Sequence, residues 1–290
     1  MVLTSNILCD WANASVLARM PMLRTTVRWK MCLYPNARTV DYWISRMVRE
    51  TGSWESGLVR LMLAALGMHA NERPVLVDVG ANIGFYTLAA AASGYEAYSF
   101  EPVPRNVEML RQSIVRNRFG PRVVLHAFAA GAVPMTLNMG QSTGNQGGVS
   151  HTRSSQGRAP EGGTQLAALP VDDATHILTG RPVYLKVDVE GAECDAFRGM
   201  RALLSHSRIV GANLEMQPAT RRCCREERWN SIGGPFHTLH HVHGLCPGTG
   251  ATPWRIGAAP SKPTSRSVTM PWEMACNDTG PWDLVWMPCP

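Results

Sequence analysis

Charged residues are scarce: Asp, Glu, Lys and Arg make up 17% of the 290 positions, which excludes a coiled coil or an acidic disordered chain. No run of Lys or Arg exceeds two residues, and the formal charge of +6 is spread over scattered arginines. That pattern gives no nucleic-acid footprint. Long apolar runs are missing too; a stretch such as LMLAALGM, residues 61–68, is too short to span a bilayer. The eight cysteines, at 9, 32, 194, 223, 224, 246, 276 and 289, include no CxxC pair. They read as mainly reduced thiols, which favours a cytoplasmic setting. Residues 1–31 hold three arginines and one lysine against Asp10, a balance that fits a transit peptide or a surface helix. Without a secretory signal the NxS/T triplets at Asn13 and Asn277 carry no weight.

What is abundant is apolar residue, 45% of the chain, with 26 glycines and 20 prolines. This is enough for one large α/β domain with glycine-rich loops. From residue 75 short apolar strands alternate with helical segments: a strand in PVLVDVG and a helix over 82–93; a strand in EAYSFE and a helix over 104–117. Further strands fall at 122–129, 182–190 and 208–215, with a helix from Gly191 to about Leu204. The alternation predicts a doubly wound, mostly parallel sheet. Residues 139–168, rich in Gly, Ser and Gln, read as a long mobile loop that closes over a ligand. The run WDLVWM, 282–287, reads as a terminal strand completing the sheet. The organisation is thus an N-terminal extension (1–30), a core with a helical lead-in (31–216) and a divergent, irregular C-terminal part (217–290).

In VLVDVGANIGFYT, residues 75–87, a buried strand turns into a helix through Asp78, Gly80, Asn82 and Gly84. Ligands of open parallel sheets bind beyond the carboxyl ends of the strands, where glycines bring backbone close and the helix start offers free amides. Glu101, 17 residues after Gly84 and at the end of the next strand, is placed to accept hydrogen bonds from both hydroxyls of a ribose. Asp78 disfavours a pyrophosphate and suits a ligand carrying an ammonium group. The absent third glycine of GxGxxG likewise disfavours NAD and an oxidoreductase. S-adenosylmethionine meets these demands. In YLKVDVEGAE, 184–193, alternation sets Lys186, Asp188 and Glu190 on one face of a strand. Charge there is costly unless it is paired or functional; Lys186 and Asp188 either neutralise each other or do chemistry.

VDVGANIGFYT, the EP at 101–102 and KVDVEGAE together resemble the FkbM family of S-adenosylmethionine-dependent methyltransferases. The segment DYWISRMVRETGSWESGLVRLML (41–63) resembles the lead-in of a eukaryotic branch of that family. NQGGVSH (145–151) resembles its loop after the third strand, and LPVDDATH (169–176) the step before the fourth. The likeness covers roughly residues 30–216. It implies the Rossmann-like class I methyltransferase fold and methyl transfer, typically to a hydroxyl oxygen on a small-molecule or glycan acceptor. It further implies that Asp78, Gly80, Asn82, Gly84 and Glu101 hold the cofactor, that Phe128 and Ala129 lie where adenine binds, and that Lys186, Asp188 and Glu190 form the fourth-strand signature. The absence of an NPPY- or DPPY-like tetrapeptide argues against amino-methylating nucleic-acid enzymes. A catalytically degenerate binding module is the alternative, against which the intact signature stands. His237, His240, His241 and His243, with Cys223, Cys224 and Cys246 nearby, read as an exposed loop rather than a zinc site. Asp188 and Glu190 lack a third oxygen ligand for Mg²⁺. The tryptophans at 29, 43 and 54 read as core or lid packing.

Overall fold

The computed structural model describes residues 9–20, 23–35, 41, 43–139, 151–153, 164–216, 239–241, 269–270 and 282–286. The chain opens with two antiparallel strands, β1 (Asp10–Met20) and β2 (Leu23–Leu33), in the register Trp11↔Cys32 through Met20↔Leu23. Their period-two pattern explains the pairing: Ala14, Val16, Trp29 and Met31 are buried, while Trp11, Asn13, Leu17, Arg28 and Lys30 are exposed. This corrects the surface-helix reading, which counted charge and overlooked the alternation. The boundary between residues 30 and 31 falls inside β2. A disulfide joins Cys9 to Cys32, and Cys194 is also disulfide-bonded. The reading of these three as reduced thiols is therefore corrected; cross-strand position, not CxxC spacing, brings the first pair together.

Helices α1 (Ile44–Thr51) and α2 (Ser56–Met68) form the lead-in. The Asp41 carboxylate accepts the Ser45 amide at 2.8 Å in the first turn of α1. That helix stops at Gly52, whose φ of +73° fits the left-handed position that ends many helices. The Gly52 carbonyl accepts the Ser15 amide and so ties the lead-in to β1. Along α2, Leu58, Val59, Met62, Leu63, Ala65 and Leu66 are buried at helical spacing.

The alternating region follows as β3 (Val75–Val79), α3 (Phe85–Ala92), β4 (Glu96–Phe100), α4 (Pro104–Asn117) and β5 (Val123–His126). After β5 come β6 (Ala129–Ala130), β7 (Met135–Met139), β8 (His151–Arg153) and β9 (Thr164–Leu169). These four form a second sheet in the order β6-β9-β7-β8. Residues 151–153 and 164–168 are thus strand, not the loop expected over 139–168; the rest of that loop, and its proposed closure, lie outside the described residues. Helix α5 (Asp172–Thr175) leads to β10 (Pro182–Val187), α6 (Glu193–Arg198), α7 (Arg201–His206) and β11 (Arg208–Met216). The helix expected over 191–204 is broken at Gly199, where a Cβ would stand 2.0 Å from the Gly131 carbonyl oxygen. Backbone packs there too closely for a side chain.

The main sheet is completed by β12 (Leu239–His241), β13 (Thr269–Met270) and β14 (Trp282–Trp286), in the order β13-β12-β14-β11-β10-β3-β4-β5. The pairs β11–β10, β10–β3, β3–β4 and β4–β5 are parallel; β14 runs antiparallel to β11. Alternate residues feed two apolar layers. Leu76, Ala97 and Tyr184 pack with α2, α3 and the hairpin, and Val75, Val77, Val79, Val183, Leu185 and Val187 pack with α6 and α7 on the other side. Of the tryptophans, Trp29 is buried, Trp54 packs against the first layer and Trp43 is exposed. No helix among the described residues is long and apolar enough to cross a membrane.

Candidate active site

One polar residue from each of four adjacent strands sits at the same level of the sheet. Asn213 on β11 is in register with Lys186 on β10, Lys186 with Asp78 on β3, and Asp78 with Ser99 on β4. All four are buried, on the α2–α3 side, in strands whose neighbours are otherwise apolar. Helix α3 supplies their partners. The Thr87 hydroxyl donates to Asp78 Oδ2 at 2.6 Å and lies 2.6 Å from the Ser99 hydroxyl. Asn213 Nδ2 donates to the Tyr86 hydroxyl at 3.1 Å, and that hydroxyl donates to Glu55 Oε2 at 2.7 Å.

Lys186 is the hub of the row. Its Nζ donates to the Gly80 carbonyl at 2.6 Å, and stands 3.3 Å from Asp188 Oδ2, 3.7 Å from Asp78 Oδ1 and 5.7 Å from the Tyr86 ring centroid. Burial disfavours its charged form, but the charges of Asp188 and Asp78 outweigh this and hold the ammonium above its ordinary pKa. For Asp78, burial wins: its pKa is raised despite Lys186 and the Thr87 hydrogen bond. Asp78 Oδ1 has no hydrogen-bond donor. Its side chain, 1% exposed, lies beneath the turn that follows β3, not at its surface.

That turn is shaped by close packing. Gly80 has φ +84°, and a Cβ there would meet the Asp188 carbonyl oxygen at 1.7 Å; at Gly84, φ +91°, it would meet Leu110 Cδ1 at 2.2 Å. Asn82 takes φ +52°, which asparagine tolerates, and its amide donates to Glu101 Oε2 at 2.8 Å. Glu101 Oε1 accepts from the Val103 amide at 2.9 Å and Asn106 Nδ2 at 3.2 Å. Burial raises the Glu101 pKa to about 7 in spite of these three donors. One carboxylate thus fixes both the β3–α3 turn and the start of α4.

The remaining expected residues are placed unevenly. Phe128 is half-buried, its ring 5.4 Å from Phe100 and 5.6 Å from His126, beside the strand end that carries Glu101. Ala129 is buried and pairs with Ala168 in the second sheet. Strand β10 ends at Val187, so the expected alternation holds for Lys186 only. Asp188 lies beyond the strand with its side chain 44% exposed, and Glu190 sits in a turn at φ +55° followed by Gly191 at +97°. Glu193 holds this turn by accepting the Val189 and Gly191 amides. Glu55, Tyr86, Thr87, Ser99, Asn213 and Glu193 were not singled out from sequence. The available signal was a polar residue inside each of several apolar strands. The histidine- and cysteine-rich segment lies outside the described residues apart from the backbone of 239–241. Among the described residues no three acids, histidines or cysteines group as a metal site.

A methyltransferase FkbM domain model matches residues 78–266, more than half of the chain. The chain belongs to this family of S-adenosylmethionine-dependent methyltransferases. No curated protein matches the sequence. Solved structures similar to it include WbdD, at 11% identity and TM-score 0.33 over 56% of this chain and 29% of that one; the chain thus spans less than a third of WbdD. A precorrin-6y C5,15-methyltransferase from Geobacter metallireducens is 12% identical, with TM-score 0.37 over 79% and 87%. The N-terminal domain of human METTL16, in complex with SAH, is 10% identical, with TM-score 0.43 over 89% and 75%.

Proposed function

We propose that the protein transfers a methyl group from S-adenosylmethionine to a hydroxyl oxygen of a small-molecule or glycan acceptor. The observation that carries the reading is the charge at the carboxyl ends of β3 and β10: Asp78 and Asp188 share the single ammonium of Lys186. The net negative charge suits a sulfonium and an ammonium group. The residues fit the cofactor in one further respect. The glycine-built turn brings close-packed backbone to the strand ends where ligands of open sheets bind. When bound, the cofactor supplies an electrophilic methyl group.

In this reading Glu101 accepts from the ribose hydroxyls, the Gly80–Gly84 turn cradles the cofactor and Phe128 flanks the adenine with Ala129 behind it. Asp78, being buried, acts through Lys186 and the Gly80 carbonyl. Asp188, the exposed acid of the cluster, takes the acceptor's proton as the new bond forms, with Lys186 and Glu190 beside it. Methyl transfer from a sulfonium is downhill, so positioning and exclusion of water are what the fold must add. The test is calorimetry with S-adenosylmethionine, S-adenosylhomocysteine and NAD, joined to transfer of a labelled methyl group into cell extract. Binding of both sulfur compounds with an O-methylated product is expected; NAD binding alone overturns the proposal.

Glu101 gives this reading a pH signature. Its folded pKa, about 7, lies above the usual 4.5. Its contribution to stability is therefore complete below 4.5 and is lost as pH rises to 7, a loss of about 3 kcal/mol. Ribose binding needs the carboxylate, so cofactor affinity should rise as pH climbs through about 7. Glu101→Gln should flatten both trends, in melting curves and in titrations at pH 5 and 8. Parallel pH profiles for mutant and wild type would remove Glu101 from the site.

A further inference from the structure

The family match begins at residue 78, yet the lead-in before it delivers a carboxylate to the centre of the site. Glu55 stands at the start of α2 with φ +42°, a left-handed conformation that costs energy for a non-glycine residue and clusters at functional positions. Its Oε2 is fixed by the Tyr86 hydroxyl, which Asn213 Nδ2 fixes in turn. Tyr86 and Asn213 are 4% and 6% exposed, whereas Glu55 is partly exposed. Asn213 Oδ1 is a second buried acceptor with no donor. The Tyr86 ring lies against Lys186, the residue that also holds Asp188. A relay of two buried side chains thus fixes the carboxylate of a partly exposed residue beside the hub that also holds Asp188.

We propose that Glu55 binds the methyl acceptor, with Tyr86 and Asn213 as its positioning residues. This rests on the methyltransferase reading above and adds to it the chemistry of the acceptor. The Glu55 carboxylate offers hydrogen-bond acceptors, so the ligand presents donors, as a polyol or sugar does through the hydroxyls next to the one that is methylated. Among the described residues Asp78 and Asp188 outnumber Lys186 by two to one. An acceptor carrying phosphate or carboxylate beside the reacting oxygen would be repelled at these distances. The acceptor is therefore neutral or cationic at its reacting end.

The test uses the full chain with Glu55→Gln, Glu55→Asp and Tyr86→Phe. S-adenosylhomocysteine affinity is measured by calorimetry, and labelled methyl transfer is followed into the extract component that wild type modifies. Loss of a hydrogen bond to a charged group corresponds to about 10- to 100-fold, so transfer should fall by that factor in Glu55→Gln and Tyr86→Phe. S-adenosylhomocysteine affinity should stay within about twofold, less than one lost neutral hydrogen bond. Glu55→Asp should restore part of the transfer. Tyr86→Phe keeps the ring and decides the matter if Glu55→Gln does not fold. Unchanged transfer, an equal fall in S-adenosylhomocysteine affinity, or a product methylated beside a phosphate or carboxylate overturns the proposal while leaving the methyltransferase reading intact. Wild-type protein that binds no cofactor or labels nothing overturns both.

Discussion

Lys186→Met should lower stability by about 3–5 kcal/mol at pH 8, the cost of removing one partner from a buried ion pair. The loss arises at Asp78, which is fully buried and would keep the Thr87 hydroxyl as its remaining donor. Lys186 also donates to the Gly80 carbonyl, so the β3–α3 turn loosens in the same variant. The pH dependence identifies the cause. The Asp78 pKa is already raised by burial, and without the ammonium it rises further, so the carboxyl becomes neutral at higher pH. A group whose folded pKa is raised contributes stability at low pH and loses it as pH climbs through the folded value. The deficit of Lys186→Met should therefore be larger at pH 8 than at pH 5. Lys186 itself has a raised pKa, so in wild type its contribution is intact throughout that range. Adding Asp78→Asn should recover much of the loss by removing the uncompensated charge. Denaturant unfolding at both pH values measures this directly; a pH-independent deficit would show that lost packing, not charge, dominates.

The strand–helix alternation and the order of the cofactor motifs were legible because each is local. Five apolar strands between amphipathic or alanine-rich helices admit few arrangements, and α4 occupies the span its spacing indicated. The hairpin was missed because Arg28 and Lys30 on its exposed face masked a period-two pattern whose apolar half is buried by α2 and α4, elements far along the chain. The Cys9–Cys32 disulfide follows from that pairing and from nothing in the cysteine spacing. Within the site, Lys186 and Asp188 were legible as charges in an apolar run. Their distinct fates were not: β10 ends between them, leaving one buried and one half-exposed. Register across strands was also invisible. Nothing local links Asn213, Lys186, Asp78 and Ser99, yet the parallel pairing lines them up. The direction of a buried acid was beyond sequence for the same reason, so Asp78 was expected to face the ligand and instead faces Lys186 and Thr87.

Asp188→Asn should leave the fold and cofactor affinity nearly intact while kcat falls by about 10²–10⁴, the usual range for removing a general base. The side chain is half-exposed, lies 3.3 Å from Lys186 Nζ and follows the last residue of β10. Its amide is held by the Val79 carbonyl at 3.0 Å, and Gly80 packs against its own carbonyl so closely that a Cβ would clash. The backbone is therefore fixed from both sides, and asparagine can replace aspartate without moving it. Three outcomes are separable on this one variant. A base shows its loss in kcat at saturating cofactor. A residue that holds the cofactor's amino group shows it in the dissociation constant for S-adenosylhomocysteine, with saturating kcat preserved. A purely structural partner of Lys186 shows it in melting temperature. In that last case replacing Lys186 as well cannot restore stability, because Asp78 depends on the same ammonium. Base action also predicts that the pH dependence of kcat on the acid side disappears with the carboxyl, a change that neither of the other roles produces. A saturating rate equal to wild type would end the base assignment.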